Sequence, residues 1–463
     1  MKNTIAILFM FVGSLVNAQN YNGKWESIGY GRLLTIEDEN FEIIDYTNIS
    51  CTPSMKGKLD ELTDKITLEN DTLTITNGIN DYFFVRSNSA ICTNLKKKKN
   101  DPIYNFEVLA ETFKTHYAYF KERNIDWEKM YHKYRSQINK KTTDPELYLV
   151  IKEMLDEFGD KHIQFSASDK VEKKAMQLSA SKSDTEKPKK IPGWQLAEQV
   201  AATFFDAIKS KRGGTIRWGI LDDNVGYLQV NQMIGFGDYG IDDNASVPEF
   251  WKQYIPIMSG KSPLPFTNDE QNGISEIMDE VMMDLKNTKA LILDMRFNGG
   301  GKDEVGLEIL SRFNPEKKQI GIKKAIHGNG FSNEVPIYVV GTENAYTKPI
   351  YLLTTRASAS ATEICVLASL SLENIKRIGG NTEGITSDML DKTLPNGWEF
   401  SLSNEIYLDN HGKNYEHTGI SPDIVVYQSD TRAEQYLTIK NGLENKKDQA
   451  IEKAIQTIHE STD

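Results

Sequence analysis

Residues 290–301 read ALILDMRFNGGG, and this stretch decides the fold of the chain. Its first half, residues 290–295, is apolar apart from Asp294, which is typical of a strand buried on both faces. Three successive glycines at 299–301 indicate a turn that needs positive φ or a close backbone approach. A helical pattern begins again at Asp303. The stretch therefore predicts a buried strand, a tight turn and a helix.

A second stretch of the same kind lies at 354–366, with the sequence TTRASASATEICV. It joins the apolar run IYLLTT to the helical pattern SATEICVLASLSL, and an amphipathic helix is predicted at 274–285. Strands that alternate with helices imply a parallel or mixed sheet with right-handed crossovers. We therefore predict an α/β core.

Composition limits the class of protein around this core. The chain has 463 residues, enough for about three structural units at roughly 150 residues each. Lys plus Arg is 54 and Asp plus Glu is 66, so the formal net charge is 54 − 66 = −12. Such an acidic chain argues against nucleic acid as a partner, because phosphate binding needs a cationic face. Hydrophobic residues at 39% and aromatics at 10% favour a folded protein.

Changes of pattern divide the chain into segments. Short alternating strands with an Asn77-Gly78 turn predict a small β-barrel or β-sandwich unit, and three helical stretches follow it. In chain order we predict a signal peptide at 1–18, a small all-β domain at 19–97, a helical domain at 98–165, a flexible linker at 166–192, the α/β core at 193–428 and a C-terminal helix at 429–463.

The N-terminal residues predict export. Lys2 precedes an apolar run from Ile5 to Val16, and short side chains at Val16-Asn17-Ala18 suit cleavage before Gln19. The apolar run is shorter than the roughly 20 residues that span a bilayer. We therefore expect a secreted or periplasmic protein without a stable membrane span. An N-terminal anchor or a buried helix remains the alternative.

The three cysteines fit an exported protein. Cys51 and Cys92 both lie in the predicted β unit and are able to pair, whereas Cys365 lies in an apolar helical pattern and is expected to be buried. No Cys/His cluster with metal-ligand spacing is present, so we predict no structural zinc site.

Ser360 is the candidate nucleophile. It lies where a strand ends and an apolar helix begins, so its Oγ would face the positive end of a helix dipole. The alternative is an ordinary N-cap serine. Free N–H groups in the 299–301 glycine turn are candidates for binding an oxyanion, although such a turn is also a common strand-to-helix connection.

A base is needed to activate a serine, and the chain has seven histidines. His162 follows a helix and Gly159 and precedes the apolar Ile163, so we predict an ordered turn around it. His162 is therefore the preferred general base, and His417, in a polar loop, is its competitor.

Four motifs together carry a resemblance to a known family. They are D-K-H at 160–162, L-D-M-R-F-N-G-G-G at 293–301, S-A-S-A-T-E at 358–363 and Y-E-H-T-G-I-S-P-D at 415–423. In this order they resemble the S41 family of serine peptidases, the tail-specific or C-terminal-processing proteases. The resemblance spans roughly residues 100–430 and implies a crotonase/ClpP-like mixed β core with a helical cap. It does not extend to the small β unit.

The resemblance also separates the two catalytic designs of that family. Ile385 stands where the Ser–Lys branch has its lysine, so the sequence is more similar to the Ser–His–Glu branch of tricorn-core and retinoid-binding-protein-like members. By this resemblance Ser360, His162 and Glu416 form the catalytic set. Lys161 stands where tricorn-type enzymes have a serine, and it is kept as an alternative base.

The same resemblance implies an oxyanion hole formed by the N–H of Ala361 with one from Gly299, Gly300 or Gly301. Asp294, Arg296 and Asn298 are expected to hold the glycine turn in shape, without touching substrate.

We therefore expect an exported serine endopeptidase that acts on proteins or peptides and needs no metal or organic cofactor. The alternative is a non-catalytic protein on the same fold that binds peptide or an apolar ligand.

Overall fold

A computed structural model describes residues 21–92, 98–180 and 191–460 of the chain. The predicted signal peptide at 1–18 lies outside these residues. In the described part, no helix combines the length and the apolar character that crossing a bilayer requires.

The N-terminal unit is one antiparallel sheet of seven strands. The strands are β1 (Gly23–Ser27), β2 (Arg32–Glu37), β3 (Asn40–Tyr46), β4 (Cys51–Lys58), β5 (Lys65–Glu69), β6 (Thr72–Asn77) and β7 (Asn80–Arg86). Their order is β4-β3-β2-β1-β7-β6-β5, which is one continuous sheet within the predicted β unit. Alternate residues, with Trp25 and Leu34 completely buried, form its core. A disulfide joins Cys51 to Cys92, with their Cα atoms 5.6 Å apart.

Four helices follow this sheet. They are α1 (Pro102–His116), α2 (Trp127–Arg135), α3 (Asp144–Asp156) and α4 (Asp169–Ala180). Asp101 caps α1 by accepting from the N–H groups of Ile103 and Tyr104. Aromatic side chains fill the centre of this helical unit, where Phe113 and Phe158 pack with their ring centroids 5.1 Å apart.

Helix α4 lies in the first part of the predicted linker at 166–192, whose residues 181–190 are outside the described part of the chain. The lysine- and serine-rich composition of that segment favoured a flexible excursion. The structure instead places a helix at Asp169–Ala180, in which Ala175 is completely buried and Val171 packs on the helical core. An amphipathic stripe is enough to dock a helix whose other faces are polar.

The core sheet also has seven strands. They are β9 (Lys209–Lys211), β10 (Ile216–Leu221), β11 (Val225–Val230), β12 (Ala290–Asp294), β16 (Ile350–Thr354), β17 (Ile375–Gly379) and β21 (Ile424–Val425). The order is β21-β17-β16-β12-β11-β10-β9, and the pairs from β21 to β11 are parallel. The strand predicted from residues 290–295 is thus β12, at the centre of the sheet.

Helices cover both faces of this sheet. They are α5 (Gly193–Phe204), α6 (Val247–Gly260), α7 (Pro263–Leu285), α8 (Asp303–Ser311) and α9 (Ala361–Ser369). A hydrophobic core lies on each face, one with α7, α8 and α9 and the other with α5 and the C-terminal helices. The mixed α/β core behind an all-β unit confirms the predicted fold class.

Two small sheets complete the molecule. The first contains β13 (Lys318–His327), β14 (Gly330–Phe331), β15 (Val335–Val339) and β20 (Glu405–Asp409), and the second contains β8 (Phe165–Ser166), β18 (Met389–Thr393) and β19 (Glu399–Ser403). Because β8 begins three residues after His162, its pairing with β19 fixes the helical unit to the core near that histidine.

The predicted C-terminal helix is two helices, α10 (Arg432–Leu443) and α11 (Gln449–Glu460). The break has a structural cause at Asp448. Its carboxylate accepts from the N–H groups of Ala450 and Ile451 at the start of α11, and from Arg296 at 2.8 Å. Asp448 is thus the N-cap of α11 and also the ion-pair partner of Arg296 in the core. A residue with both functions lies between two helices, where one has ended and the next begins.

Replacing Arg296 by methionine tests how much this buried ion cluster contributes to stability. Arg296 is completely buried between Asp294 and Asp448, so Arg296→Met leaves two buried carboxylates without their compensating cation. We expect the free energy of unfolding to fall by about 3–5 kcal/mol. Urea titration followed by circular dichroism measures it. The matched control, Lys152→Met, breaks an exposed pair with Asp156 and should cost less than about 1 kcal/mol. Equal losses in the two variants would contradict the prediction.

Candidate active site

Ser360 lies on a sharp turn between β16 and α9. Its backbone has φ 57° and ψ −129°, a conformation that is unfavourable for a residue other than glycine. Its side chain makes no capping hydrogen bond to α9, which excludes the ordinary N-cap interpretation. A strained strand-to-helix turn that presents a serine hydroxyl is a known way to expose a nucleophile.

His162 lies beside this serine. Its Nε2 is 3.0 Å from Ser360 Oγ, although the two residues are 198 positions apart in the chain. Hydrogen bonds hold the backbone of His162 on both sides: its N–H donates to Asp160 Oδ1 at 2.9 Å, and its carbonyl accepts from Ser401 Oγ at 2.7 Å. The structure thus brings together the two residues that the sequence analysis paired as nucleophile and base.

The environment of His162 favours the neutral imidazole. The side chain is buried, and burial lowers its pKa. Asp160 and Asp388 act in the opposite direction, and the guanidinium of Arg123 lowers the pKa further. A neutral imidazole with Nε2 facing a hydroxyl is able to accept its proton.

The two competing bases lie elsewhere. His417 is exposed, and its backbone N–H donates to the carbonyl of Gly384 at 2.7 Å. The ammonium of Lys161 is 58% exposed and pairs with Glu383. A lysine base needs a desolvated site, so the position of Lys161 does not suit that role.

Glu416, the third residue of the predicted catalytic set, is buried. No hydrogen bond between it and His162 is found in the described part of the chain. Its Oε1 accepts from Arg123 at 2.5 Å. Its Oε2 accepts from the N–H groups of Thr386, at 2.7 Å, and Ser387, at 3.3 Å. These donors occupy both oxygens of the carboxylate. Among the described residues, His162 Nδ1 is buried without a hydrogen-bond partner.

Burial dominates the electrostatics of Glu416. It raises the pKa of this carboxyl to about 7, and the negative charge of Asp160 adds to the effect. Arg123 and the N–H of Thr386 act in the opposite direction.

The glycine turn packs directly against the serine. Gly300 has φ 103°, and a Cβ atom on it would lie 2.6 Å from Ser360 Cβ and 3.1 Å from the nitrogen of Ala361. The N–H of Gly300 donates to Asn298 Oδ1 at 2.9 Å, so its role is to provide space. Ala361 is the first residue of α9, where helix N–H groups lack intrahelical acceptors. Gly299 is exposed at the same turn.

The residues expected to support this turn are buried behind it. Arg296 donates to both oxygens of Asp294, at 2.9 and 2.6 Å. Asn298 Nδ2 donates to the carbonyl of Val230 at 3.1 Å. All three side chains are completely buried, which matches a supporting function.

Glu363 is a supporting residue that sequence reasoning missed. Its buried carboxylate accepts from Thr382 Oγ1 at 2.6 Å and from the N–H groups of Gly384 and Ile385, at 2.9 and 2.7 Å. Burial raises its pKa to about 7. Glu363 therefore fixes the segment in which Ile385 replaces the lysine of the other branch. The S-A-S-A-T-E motif contains this glutamate but gives no sign of what it binds.

Arg123 and Asp160 were also missed as site residues. Asp160 had a signal, since it is the first residue of the D-K-H motif. Arg123 had none, because it lies in a polar segment after α1 with no motif around it.

Two cavities are lined by sequence neighbours of the glycine turn and of His162, although neither is lined by Ser360 or His162 themselves. One, of about 150 Å³, is lined by Gly301 of the glycine turn, by Asp303 and by Asn80 and Tyr82 of the β unit. The other, of about 320 Å³, is lined by Lys161, which precedes His162. Among the described residues, no group of three or more His, Cys, Asp or Glu side chains is arranged to hold a metal ion.

Comparison with known proteins places the chain among peptidases. The family described as peptidase family S41 matches residues 224–426, which contain the glycine turn, Ser360 and Glu416. The tricorn protease C1 domain matches residues 99–156, in the helical unit. More particularly, the α/β core of the chain is similar to peptidase family S41 over residues 224–426. No curated protein matches it.

The fold is shared with a solved structure at a TM-score above 0.5. A structure from Parabacteroides merdae, provisionally described as a peptidase, has a TM-score of 0.56 at 22% identity and covers 77% of this chain and 96% of its own. A lipoprotein from Streptococcus agalactiae has a TM-score of 0.43 at 18% identity, and the match covers 75% of this chain and 97% of the lipoprotein. Mature CPAF has a TM-score of 0.49 at 10% identity, and the match covers 75% of this chain and 96% of CPAF.

Adding a side chain at Gly300 tests the contact between the glycine turn and the serine. Gly300→Ala places a methyl group against Ser360 and strains a positive φ, so we expect the reactivity of Ser360 toward a fluorophosphonate probe to fall by about 100-fold. The labelling rate of the purified protein measures it. Gly260→Ala is the matched control, because no atom lies within 4 Å of a Cβ there. Unchanged labelling of the Gly300 variant would show that the turn does not shape the site.

Proposed function

We propose that the chain is an exported serine endopeptidase in which Ser360 is the nucleophile and His162 the general base. One observation carries the proposal: His162 Nε2 lies 3.0 Å from the Oγ of a serine held on a strained turn. Nucleophile and base at hydrogen-bond distance are the common requirement of serine hydrolysis.

The reaction follows from this geometry. Ser360 Oγ attacks the scissile carbonyl while His162 Nε2 takes its proton, and the imidazolium returns the proton to the leaving amine. The developing oxyanion is bound by the N–H of Ala361 with one from Gly299 or Gly301, since the N–H of Gly300 donates to Asn298. Water, activated by the same histidine, then releases the acyl group.

Cleavage within a chain is supported by the space around the pair. One cavity is lined by Gly301 of the glycine turn and the other by Lys161, which precedes His162, and we propose that an extended substrate uses this space. Protein or peptide chains are therefore the proposed substrates.

Labelling with a fluorophosphonate probe tests the nucleophile. We expect peptide mapping to find the label on Ser360, and Ser360→Ala and His162→Ala to lose labelling and turnover of a casein substrate by about 1,000-fold or more. Lys161→Ala should lose much less, because its ammonium is exposed and paired with Glu383. A folded wild-type protein without label on Ser360 would favour a non-catalytic binding protein.

Export is proposed on two grounds. The apolar run from Ile5 to Val16 has the length and flanks of a secretory signal. The disulfide between Cys51 and Cys92 is of the kind that persists in oxidising compartments.

N-terminal sequencing of the protein isolated from its host tests the export. We expect the mature chain to begin at or near Gln19. Leu8→Arg places a charge in the apolar run and should leave the uncleaved precursor in the cell. Wild-type protein that retains Met1 would refute the assignment.

A further inference from the structure

A buried ion cluster lies behind His162 and contains one more carboxylate than cation. Arg123 Nη2 donates to Glu416 Oε1 at 2.5 Å, and Arg123 Nε lies 3.6 Å from Asp160 Oδ2. The three side chains are 3% exposed or less. Burying two carboxylates with one guanidinium is costly and is weak grounds for a purely stabilising role.

The contacts of Arg123 extend to the catalytic histidine. Its Nη1 donates to the carbonyl of Gly159 at 2.8 Å, and Asp160 in turn accepts from the backbone N–H of His162. Arg123 therefore holds the turn that carries His162 by a hydrogen bond and an ion pair. The Nη2 of Arg123 is held by Glu416, which makes no hydrogen bond to His162 among the described residues.

We propose that Arg123 is a positioning residue of the peptidase site, through which the buried carboxylate of Glu416 sets the orientation and the basicity of His162. The inference rests on the proposed function of Ser360 and His162. It assigns Glu416 an indirect function in the site, which is exerted through Arg123 and not through a hydrogen bond to the imidazole.

The charges around His162 make this arrangement suited to a general base. Asp160, from its own turn, and Asp388, from the segment before β18, favour the imidazolium, while Arg123 disfavours it. Of the three buried groups, Asp160 and Glu416 carry two negative charges and Arg123 one positive charge. When His162 takes the serine proton, the buried charges balance. Before that step, burial favours the neutral imidazole, and Arg123 acts in the same direction.

The pH profile of fluorophosphonate labelling separates positioning from simple stability. The rate at Ser360 should rise with pH as His162 loses its proton. Arg123→Gln removes a cation that lowers the pKa of His162, so we expect the midpoint of the acid limb to move up by about half a pH unit or more. The maximal rate of labelling should fall by about 10- to 100-fold, because the turn that carries His162 loses its hydrogen bond to Arg123. A midpoint and rate equal to the wild-type values overturn the proposal, as does a slower rate with an unmoved midpoint.

Two further variants keep the test decisive if Arg123→Gln folds poorly. Arg123→Lys preserves the charge but not the fork that binds Gly159 and Glu416 together, so its midpoint should stay in place while its rate falls about tenfold. A wild-type rate in this variant overturns the proposal. Arg135→Gln, which breaks a half-exposed pair with Glu107 in the same helical unit, is the control and should label at the wild-type rate.

A double-mutant cycle tests whether Glu416 acts through Arg123. Glu416→Gln alone should slow labelling, and adding it to Arg123→Gln should slow labelling little further, because the relay is already broken. Slowing factors that simply multiply would overturn the relay.

The failure of the proposed function is distinguishable from the failure of this inference. If the wild-type protein does not label at all, the nucleophile assignment fails. The NMR titration of His162 in the wild type and in Arg123→Gln then decides the inference by itself: an upward shift of the midpoint supports it, and an unchanged midpoint overturns it.

Discussion

The close approach of the glycine turn to Ser360 is the constraint on which the site depends. A side chain at Gly300 would occupy the space that Ser360 and Ala361 now use. The two turns also share hydrogen bonds, since the N–H of Ala359 donates to the carbonyl of Asn298 at 3.2 Å. Because neighbouring parallel strands β12 and β16 both end at this edge, their turns must pack together, and the strained backbone of Ser360 is held by that packing.

Buried glutamates hold the loops that surround the two turns. Glu363 binds the N–H groups of Gly384 and Ile385, and Glu416 binds those of Thr386 and Ser387. A third glutamate, Glu270, accepts from three successive N–H groups at Gly235, Phe236 and Gly237. Each carboxylate satisfies backbone donors that would otherwise be buried without acceptors. Burial raises the pKa of all three, so the loops around the site are held by groups whose charge is sensitive to pH.

The sequence predicted those parts of the site that local rules govern. Three glycines after an apolar strand, and a serine at the start of an apolar helix, each follow from backbone geometry, and the structure places both turns at one edge of the sheet. The helix at Asp169–Ala180, inside the predicted linker at 166–192, was missed for a related reason. Composition reports how polar a segment is, but the docking of α4 depends on a few apolar residues finding a complementary surface.

By itself, the sequence determined the class of fold, the two strand-to-helix turns and the residues able to act as nucleophile and base, because periodicity, glycine and helix-end chemistry are local properties. Only the tertiary structure decided which charges meet. Arg123, Asp160 and Glu416 come from three separate segments, and their pairing depends on how the helical unit docks on the core through β8 and β19. That docking buries the carboxylate of Glu416 against a guanidinium and backbone N–H groups instead of the imidazole. A motif records which residues are present, whereas the partner of a buried charge is chosen by the three-dimensional path of the whole chain.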